Sequence, residues 1–224
     1  MTKLLIYDLD GTLIDSAQDI ANAVNWTLKE MGLRRLSLDE IRSFIGTGVE
    51  ELMRRTLDEA LSGEKTLGEE NEVAALLERS SQLYRSHYAS HLLDETQLYP
   101  SVRMVLEYFK DRKQAVITNK PEGFSRKILR GLGIDSYFFR VIGGDQAFPK
   151  KPAPAAVLEI VGSAGIGPAE AVLIGDSAID IETGKNAGVK TVAVTYGFRS
   201  RPEIERAQPD LIVGDLSELT TRFL

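Results

Sequence analysis

The sequence contains no cysteine, which excludes disulfides, thiolate metal sites and a cysteine nucleophile. Nucleophilic chemistry must therefore run through an oxygen or nitrogen. Long apolar runs are also missing. Leu4-Leu5-Ile6-Tyr7 near the start is too short for a signal peptide or a membrane span, so cytoplasmic residence is the expectation. Positive charge is in deficit: 27 Lys and Arg stand against 33 Asp and Glu, for a net charge of -6 and a pI near 5.1. Neither a nucleic-acid nor a membrane partner is expected from that balance, although one cationic pocket for a small anion remains compatible with it. Histidine is scarce. His87 and His91 fall four apart, but the spacer Tyr88-Ala89-Ser90 has no acid, so the metalloprotease pattern fails and a helix-surface pair is expected. Trp26, the lone tryptophan, reads as packing. Gly131-Leu132-Gly133 and the stretch from Gly162 to Gly167 match neither a P-loop nor a dinucleotide fingerprint, which removes nicotinamide enzymes and P-loop kinases. There is no internal repeat and no low-complexity tract.

What remains is an ordinary globular composition, 224 residues with 43% hydrophobic and 27% charged. Short apolar runs recur at Leu4 to Leu9, Gln114 to Thr118, Arg140 to Ile142, Ala171 to Ile174, Thr191 to Thr195 and Leu211 to Val213. Between them lie helical patterns such as Val102, Val105, Leu106, Phe109, and then Phe124, Ile128, Leu129, Leu132, the latter closed by Gly133. Strands alternating with helices predict a parallel, doubly wound α/β sheet.

The stretch from Ser16 to about Glu95 breaks that rhythm. Ile20, Val24, Leu28 and Met31 form one apolar face closed by Gly32; Ser37-Leu38-Asp39-Glu40 and Thr47-Gly48-Val49-Glu50 both fit a capping box; Val73, Leu76, Leu77, Leu83 and Tyr84 belong to a further helix. Ser62 to Glu72 reads as an exposed loop. The expected layout is a core of residues 1–15 and 96–224 with an inserted all-helical domain at 16–95.

Acidic residues collect at strand ends. Asp8 and Asp10 follow the first strand, and Gly11 would allow a tight turn that offers amide donors to an anion; the bland alternative is turn chemistry alone. Gly175-Asp176 follows the fourth core strand, with Asp180 one helical turn on, although Asp176 or Ser177 could simply cap the next helix. Carboxylates from two strand ends could share a hard cation with oxygen ligands, and Mg²⁺ suits them. Thr118 and Asn119 end another strand with groups able to hydrogen-bond phosphate oxygens. Lys151, in Lys150-Lys151-Pro152-Ala153-Pro154, could offset the repulsion between a phosphate and an attacking aspartate, or it could be a solvated surface lysine.

Asp8-Leu9-Asp10-Gly11-Thr12, Thr118, Lys151, and Gly175-Asp176 with Asp180 resemble, in order, the four motifs of the haloacid dehalogenase superfamily, and the resemblance spans nearly the whole chain. It implies a Rossmann-like core with a small helical cap, and a Mg²⁺-dependent phosphatase. In that reading Asp8 forms an aspartyl-phosphate, Asp10 is general acid and base, and Thr118 and Lys151 hold the phosphoryl group. Asp8, the Asp10 carbonyl and Asp176 would hold Mg²⁺, with Asp180 in support.

Phe44-Ile45-Gly46-Thr47-Gly48, Tyr99-Pro100-Ser101-Val102 and Thr118-Asn119-Lys120-Pro121 resemble the phosphoglycolate phosphatase branch, which commonly has glycine where Ser101 stands. The resemblance makes Gly46, Thr47 and Gly48 a substrate-specificity loop, beside the reading of the same residues as a helix start. It implies 2-phosphoglycolate as substrate, ahead of pyrophosphate or a sugar phosphate. A phosphomutase lacks the Asn119-Lys120-Pro121 equivalent, and a phosphonatase needs a cap lysine that does not identify itself here. A phospho-accepting signalling module or a non-catalytic binding relative fits Asp10 and the insert less well. The expected partner is a small phosphorylated metabolite, and the expected assembly is a monomer or homodimer.

Overall fold

The computed structural model describes residues 2–62 and 70–222. In chain order the strands are β1 (Leu4–Tyr7), β2 (Ile14–Asp15), β3 (Gln97–Leu98), β4 (Lys113–Ile117), β5 (Arg140–Ile142), β6 (Ala171–Gly175), β7 (Lys190–Val194) and β8 (Leu211–Val213). The helices are α1 (Ala17–Glu30), α2 (Leu38–Phe44), α3 (Val49–Leu61), α4 (Glu70–Tyr88), α5 (Val102–Tyr108), α6 (Glu122–Gly131), α7 (Ala155–Ala164), α8 (Ala178–Ala187), α9 (Arg201–Arg206) and α10 (Leu219–Arg222). The chain divides into two compact units, one of Met1–Asp15 with Gln97–Leu224 and one of Ser16–Thr96.

The first unit is an α/β fold around a six-stranded sheet in the order β5-β4-β1-β6-β7-β8, with every pairing parallel. Parallel strands covered on both faces must be apolar throughout, and β1 and β6 are buried at every position. Because successive side chains alternate, Leu4 and Ile6 face one side with Ala115, Ile117 and Leu173, packed on Ala156, Val157, Ile160 and Val161 of α7. Tyr7 points the other way, where its hydroxyl donates to Gln114 Oε1 at 3.1 Å. After β1 the chain builds outward through β4 and β5, then returns to β6 on the other flank of β1. The carboxyl ends around that reversal are where ligands of open sheets bind.

All six predicted core strands are present, within one or two residues at their ends. The antiparallel pair β2–β3, joining Ile14 to Leu98 and Asp15 to Gln97, was not foreseen: two residues per strand are too few for any periodic pattern.

The second unit is helical. Ile20, Val24 and Leu28 bury the inner face of α1, with Ile41, Leu52, Met53, Leu57, Tyr84 and Tyr88 also buried. The expected capping box at Ser37 is formed with Glu40. The one expected at Thr47 is not. Gly48 is the N-cap of α3 and makes no side-chain cap bond, while the Thr47 hydroxyl donates to the Phe44 carbonyl at 3.3 Å. Gly46 and Gly48 take φ of 109° and 94°, which explains glycine at both positions. Of the expected loop from Ser62 to Glu72, residues 63–69 lie outside the described residues, and Glu70 already begins α4.

Where this unit's chain ends, Asp19 of α1 is buried and its carboxylate accepts from Glu95 N at 3.0 Å, Thr96 N at 2.9 Å and the Thr96 hydroxyl at 2.7 Å. Replacing Asp19 by alanine strands those donors. We expect it to destabilise the protein by about 3 kcal/mol, with a fall in thermal midpoint of roughly 6–12 °C. Asp19→Asn, which keeps acceptor oxygen, should lose less. A melting curve for Asp19→Ala that overlays the wild type contradicts the clamp.

Candidate active site

Three adjacent strands, β4, β1 and β6, deliver their carboxyl ends to one place. The backbone ladder continues past β1 through Asp8 N–H to the Ile174 carbonyl at 2.8 Å, and past β4 through Thr118 N–H to the Ile142 carbonyl at 3.0 Å. Asp8, Asp10, Thr118, Lys120, Lys151, Asp176 and Asp180 are all buried. Oxygens of Asp8, Asp176 and Asp180 lie within 4.8 Å of one another.

Lys151 binds two of these acids. Its ammonium donates to Asp180 Oδ1 at 2.5 Å and lies 2.8 Å from Asp8 Oδ1. The second contact is a charge contact rather than a well-directed hydrogen bond, since Asp8 Oδ1 has no bond of good geometry. Burial alone would lower the lysine pKa; the charges of Asp180 and Asp8, with the hydrogen bond to Asp180, outweigh it and hold the ammonium well above its ordinary range. Lys151 is thus no surface lysine.

Each aspartate is held in its own way. Asp180 sits in the first turn of α8, where its second oxygen accepts from Ser177 N–H at 3.1 Å and the Ser177 hydroxyl at 2.6 Å; Ser177, not Asp176, is the N-cap. Asp176 accepts from Phe198 N–H at 2.6 Å, in the loop after β7. A Cβ at Gly11 or Gly197 would strike the Asp176 carboxylate, and one at Gly175 would strike that of Asp180. Glycine at these positions lets backbone close on charge.

One expectation is corrected by these contacts. The Gly11 amide, at φ 84°, donates to the Ile14 carbonyl at 2.9 Å and so is not offered to an anion; what this glycine supplies is room for Asp176. The side chain of Asn119 clamps the Lys151 backbone: its Oδ1 accepts from Lys151 N–H at 2.9 Å and its Nδ2 donates to the Lys151 carbonyl at 3.3 Å. Thr118 Oγ1 accepts from Lys120 N–H at 3.2 Å, and a hydroxyl that accepts keeps its own proton to donate. Gly46, Thr47 and Gly48 belong to the helical unit, in the turn between α2 and α3.

Sequence reading missed Lys120, whose ammonium donates to Asp10 Oδ1 at 2.8 Å. It also missed the Phe198 amide. Lys120 stood in a stretch that resembles the family branch but was given no role of its own, and a backbone donor carries no side-chain signal at all.

The donor set fits a hard divalent cation. It consists of oxygens, and the four buried aspartates exceed the two buried lysines by two negative charges. Burial pushes Asp8 up to about 7, opposed by Lys151 and reinforced by Asp180; burial with the charges of Asp180 and Asp8 pushes Asp176 up to about 8, against the Phe198 amide. A bound cation would relieve that repulsion. Among the described residues, no helix is long and apolar enough to cross a membrane.

Residues 5–194 match the family model described as haloacid dehalogenase-like hydrolase. A phosphoglycolate phosphatase of Pseudomonas putida is 38% identical over 222 residues, covering 98% of this chain and 79% of that relative. One from Aquifex aeolicus is 37% identical over 198 residues, 88% of this chain and 86% of the relative. A crystal structure described as a predicted phosphoglycolate phosphatase from Haemophilus somnus superposes with a TM-score of 0.92 at 32% identity, covering 100% of this chain and 98% of that one.

Folded-state values of about 7 and 8, above the ordinary 3.8, mean that the metal-free fold binds protons more tightly than the unfolded chain does. Their stabilising contribution is complete below 3.8 and is lost as the pH climbs through about 7 and 8. In EDTA the thermal midpoint should therefore fall across that range, and Mg²⁺ should raise it most at the alkaline end. A Mg²⁺ effect that is absent, or larger at the acid end, argues against the carboxylate cluster as the cation site.

Proposed function

The chain belongs to the haloacid dehalogenase-like hydrolases, and from that premise we propose that it is a Mg²⁺-dependent phosphatase of small phosphometabolites, with 2-phosphoglycolate as its substrate. The observation that carries the proposal is the buried cluster of Asp8, Asp176 and Asp180 gathered with Lys151 at adjoining strand ends. The phosphoglycolate phosphatase names of similar proteins support the choice of substrate.

In this reading the Asp8 carboxylate attacks phosphorus, and the bond from phosphorus to the leaving oxygen breaks. Asp10 delivers a proton to that oxygen as it departs. Asp10, now a carboxylate, takes a proton from water as the water attacks the aspartyl-phosphate, which frees Asp8 and inorganic phosphate. Thr118 and Lys151 hold the phosphoryl oxygens throughout, and Asn119 keeps the Lys151 backbone in place. Asp8, the Asp10 carbonyl and Asp176, with Asp180 in support, would hold Mg²⁺, which supplies charge neutralisation and orientation of the phosphoryl group when bound. Gly46, Thr47 and Gly48 are proposed as a loop that contributes to substrate choice.

Asp8→Asn removes the nucleophile and should lower kcat by at least about 10⁴-fold in a protein that still folds cooperatively. Substantial Mg²⁺-dependent hydrolysis by that variant would rule out the nucleophile assignment. Across a panel of phosphoesters, kcat/KM for 2-phosphoglycolate should exceed that for pyrophosphate and sugar phosphates by roughly 10-fold or more. The reverse order moves the substrate and leaves the phosphatase chemistry standing.

A further inference from the structure

Lys120 is a second buried lysine in the cluster, and none of the proposed chemical steps uses it. Its ammonium lies 2.8 Å from Asp10 Oδ1, with the two side chains only 5% and 9% exposed. Its backbone is fixed from two sides: the N–H donates to Thr118 Oγ1 at 3.2 Å, and the carbonyl accepts from Gly144 N–H at 3.0 Å. Just beyond Pro121, Glu122 N–H donates to Asp145 Oδ1 at 2.8 Å. The ammonium is therefore placed by the strand end and does not drift in from the surface.

Burying a lysine against one aspartate contributes little net stability, because the desolvation of both ions offsets their attraction. A neutral donor would satisfy Asp10 at lower cost. The position is more informative. Lys151 serves the phosphoryl side, through Asp8 and Asp180, while Lys120 stands on the acid that must touch the departing oxygen. The cluster thus has one cation for the group transferred and another beside the group that leaves.

We infer that Lys120 is the specificity-determining residue for the leaving group, selecting phosphate monoesters that carry a carboxylate on the carbon next to the ester oxygen. This rests on the reading of Asp10 as proton donor to that oxygen. The ester oxygen must come within a hydrogen bond of Asp10, and a carboxylate carbon two bonds further on is then within reach of the ammonium bonded to the same aspartate. Such a contact is charge-assisted and buried, where it discriminates strongly. A neutral leaving group offers Lys120 nothing in exchange for disturbing its bond to Asp10.

The test compares 2-phosphoglycolate with its uncharged amide, 2-phosphoglycolamide, for the Mg²⁺-loaded wild type, Lys120→Met and Lys120→Arg. The wild type should favour the acid by roughly 10–100-fold in kcat/KM. Lys120→Met should abolish that preference, mainly by raising KM for the acid, and Lys120→Arg should retain most of it. If Lys120→Met depresses both esters by the same factor, so that the ratio stands, Lys120 only positions Asp10 and the inference is overturned. Should Lys120→Met fail to fold, inhibition of the wild type by glycolate and by glycolamide decides: stronger inhibition by glycolate supports the inference, and equal inhibition overturns it. A wild type that hydrolyses both esters equally overturns it while the phosphatase reading survives. A wild type that hydrolyses neither, while still hydrolysing pyrophosphate or a sugar phosphate, removes 2-phosphoglycolate as the substrate, and the inference with it.

Discussion

One ammonium group, that of Lys151, holds together carboxylates that would otherwise repel one another. It touches Asp8 after β1 and donates a hydrogen bond to Asp180 in the first turn of α8, so it joins a strand end to a helix start. Lys151 reaches that point because Asn119 grips both polar atoms of its backbone. Asp180 meets it because a serine cap turns the aspartate inward, and because Gly175 has no side chain in the way. The two buried acids with raised pKa values, Asp8 and Asp176, lie where burial and mutual repulsion are strongest, as a site built to receive a cation requires.

Much of this was legible in the residues. The six core strands announced themselves as short, nearly continuous apolar runs, as buried parallel strands do. The aspartates and Thr118 were legible because they closely follow those apolar runs, whereas Lys151, nine residues after β5, drew its role from the family resemblance alone. Contacts that pair distant loops were not. Lys120 meets Asp10 across 110 positions of sequence, and Phe198 meets Asp176 through a backbone amide. Two further groups show why such bonds stay hidden. Gly11 and Asn119 carry polar atoms suited to an anion, but the fold had already committed those atoms to the Ile14 carbonyl and the Lys151 backbone. Composition reports which donors exist and says nothing of who takes them.

Space is rationed as tightly as charge. The Asp176 carboxylate lies between Gly11 and Gly197, so three strand-end loops close on it with no side chain between. Such packing keeps water from the carboxylates, and it is the reason burial perturbs them so strongly. The same closeness, with the Phe198 amide, fixes the orientation of Asp176 through backbone alone, which suits a reaction governed by positioning.

The small ladder of β2 and β3 has a consequence for how this protein can be rebuilt. It sets Ile14 opposite Leu98 and Asp15 opposite Gln97, so the chain leaves the sheet unit and returns to it a single strand spacing apart, about 4.8 Å. To the sheet, the entire helical unit is a closed loop whose ends are already tied, and the entropy of closing such a loop grows only slowly with its length. Segments of very different size and shape could be grafted between those two anchor points without altering the strands that carry the aspartates. Modularity of that kind lets recognition be exchanged by recombination while the chemistry is inherited whole.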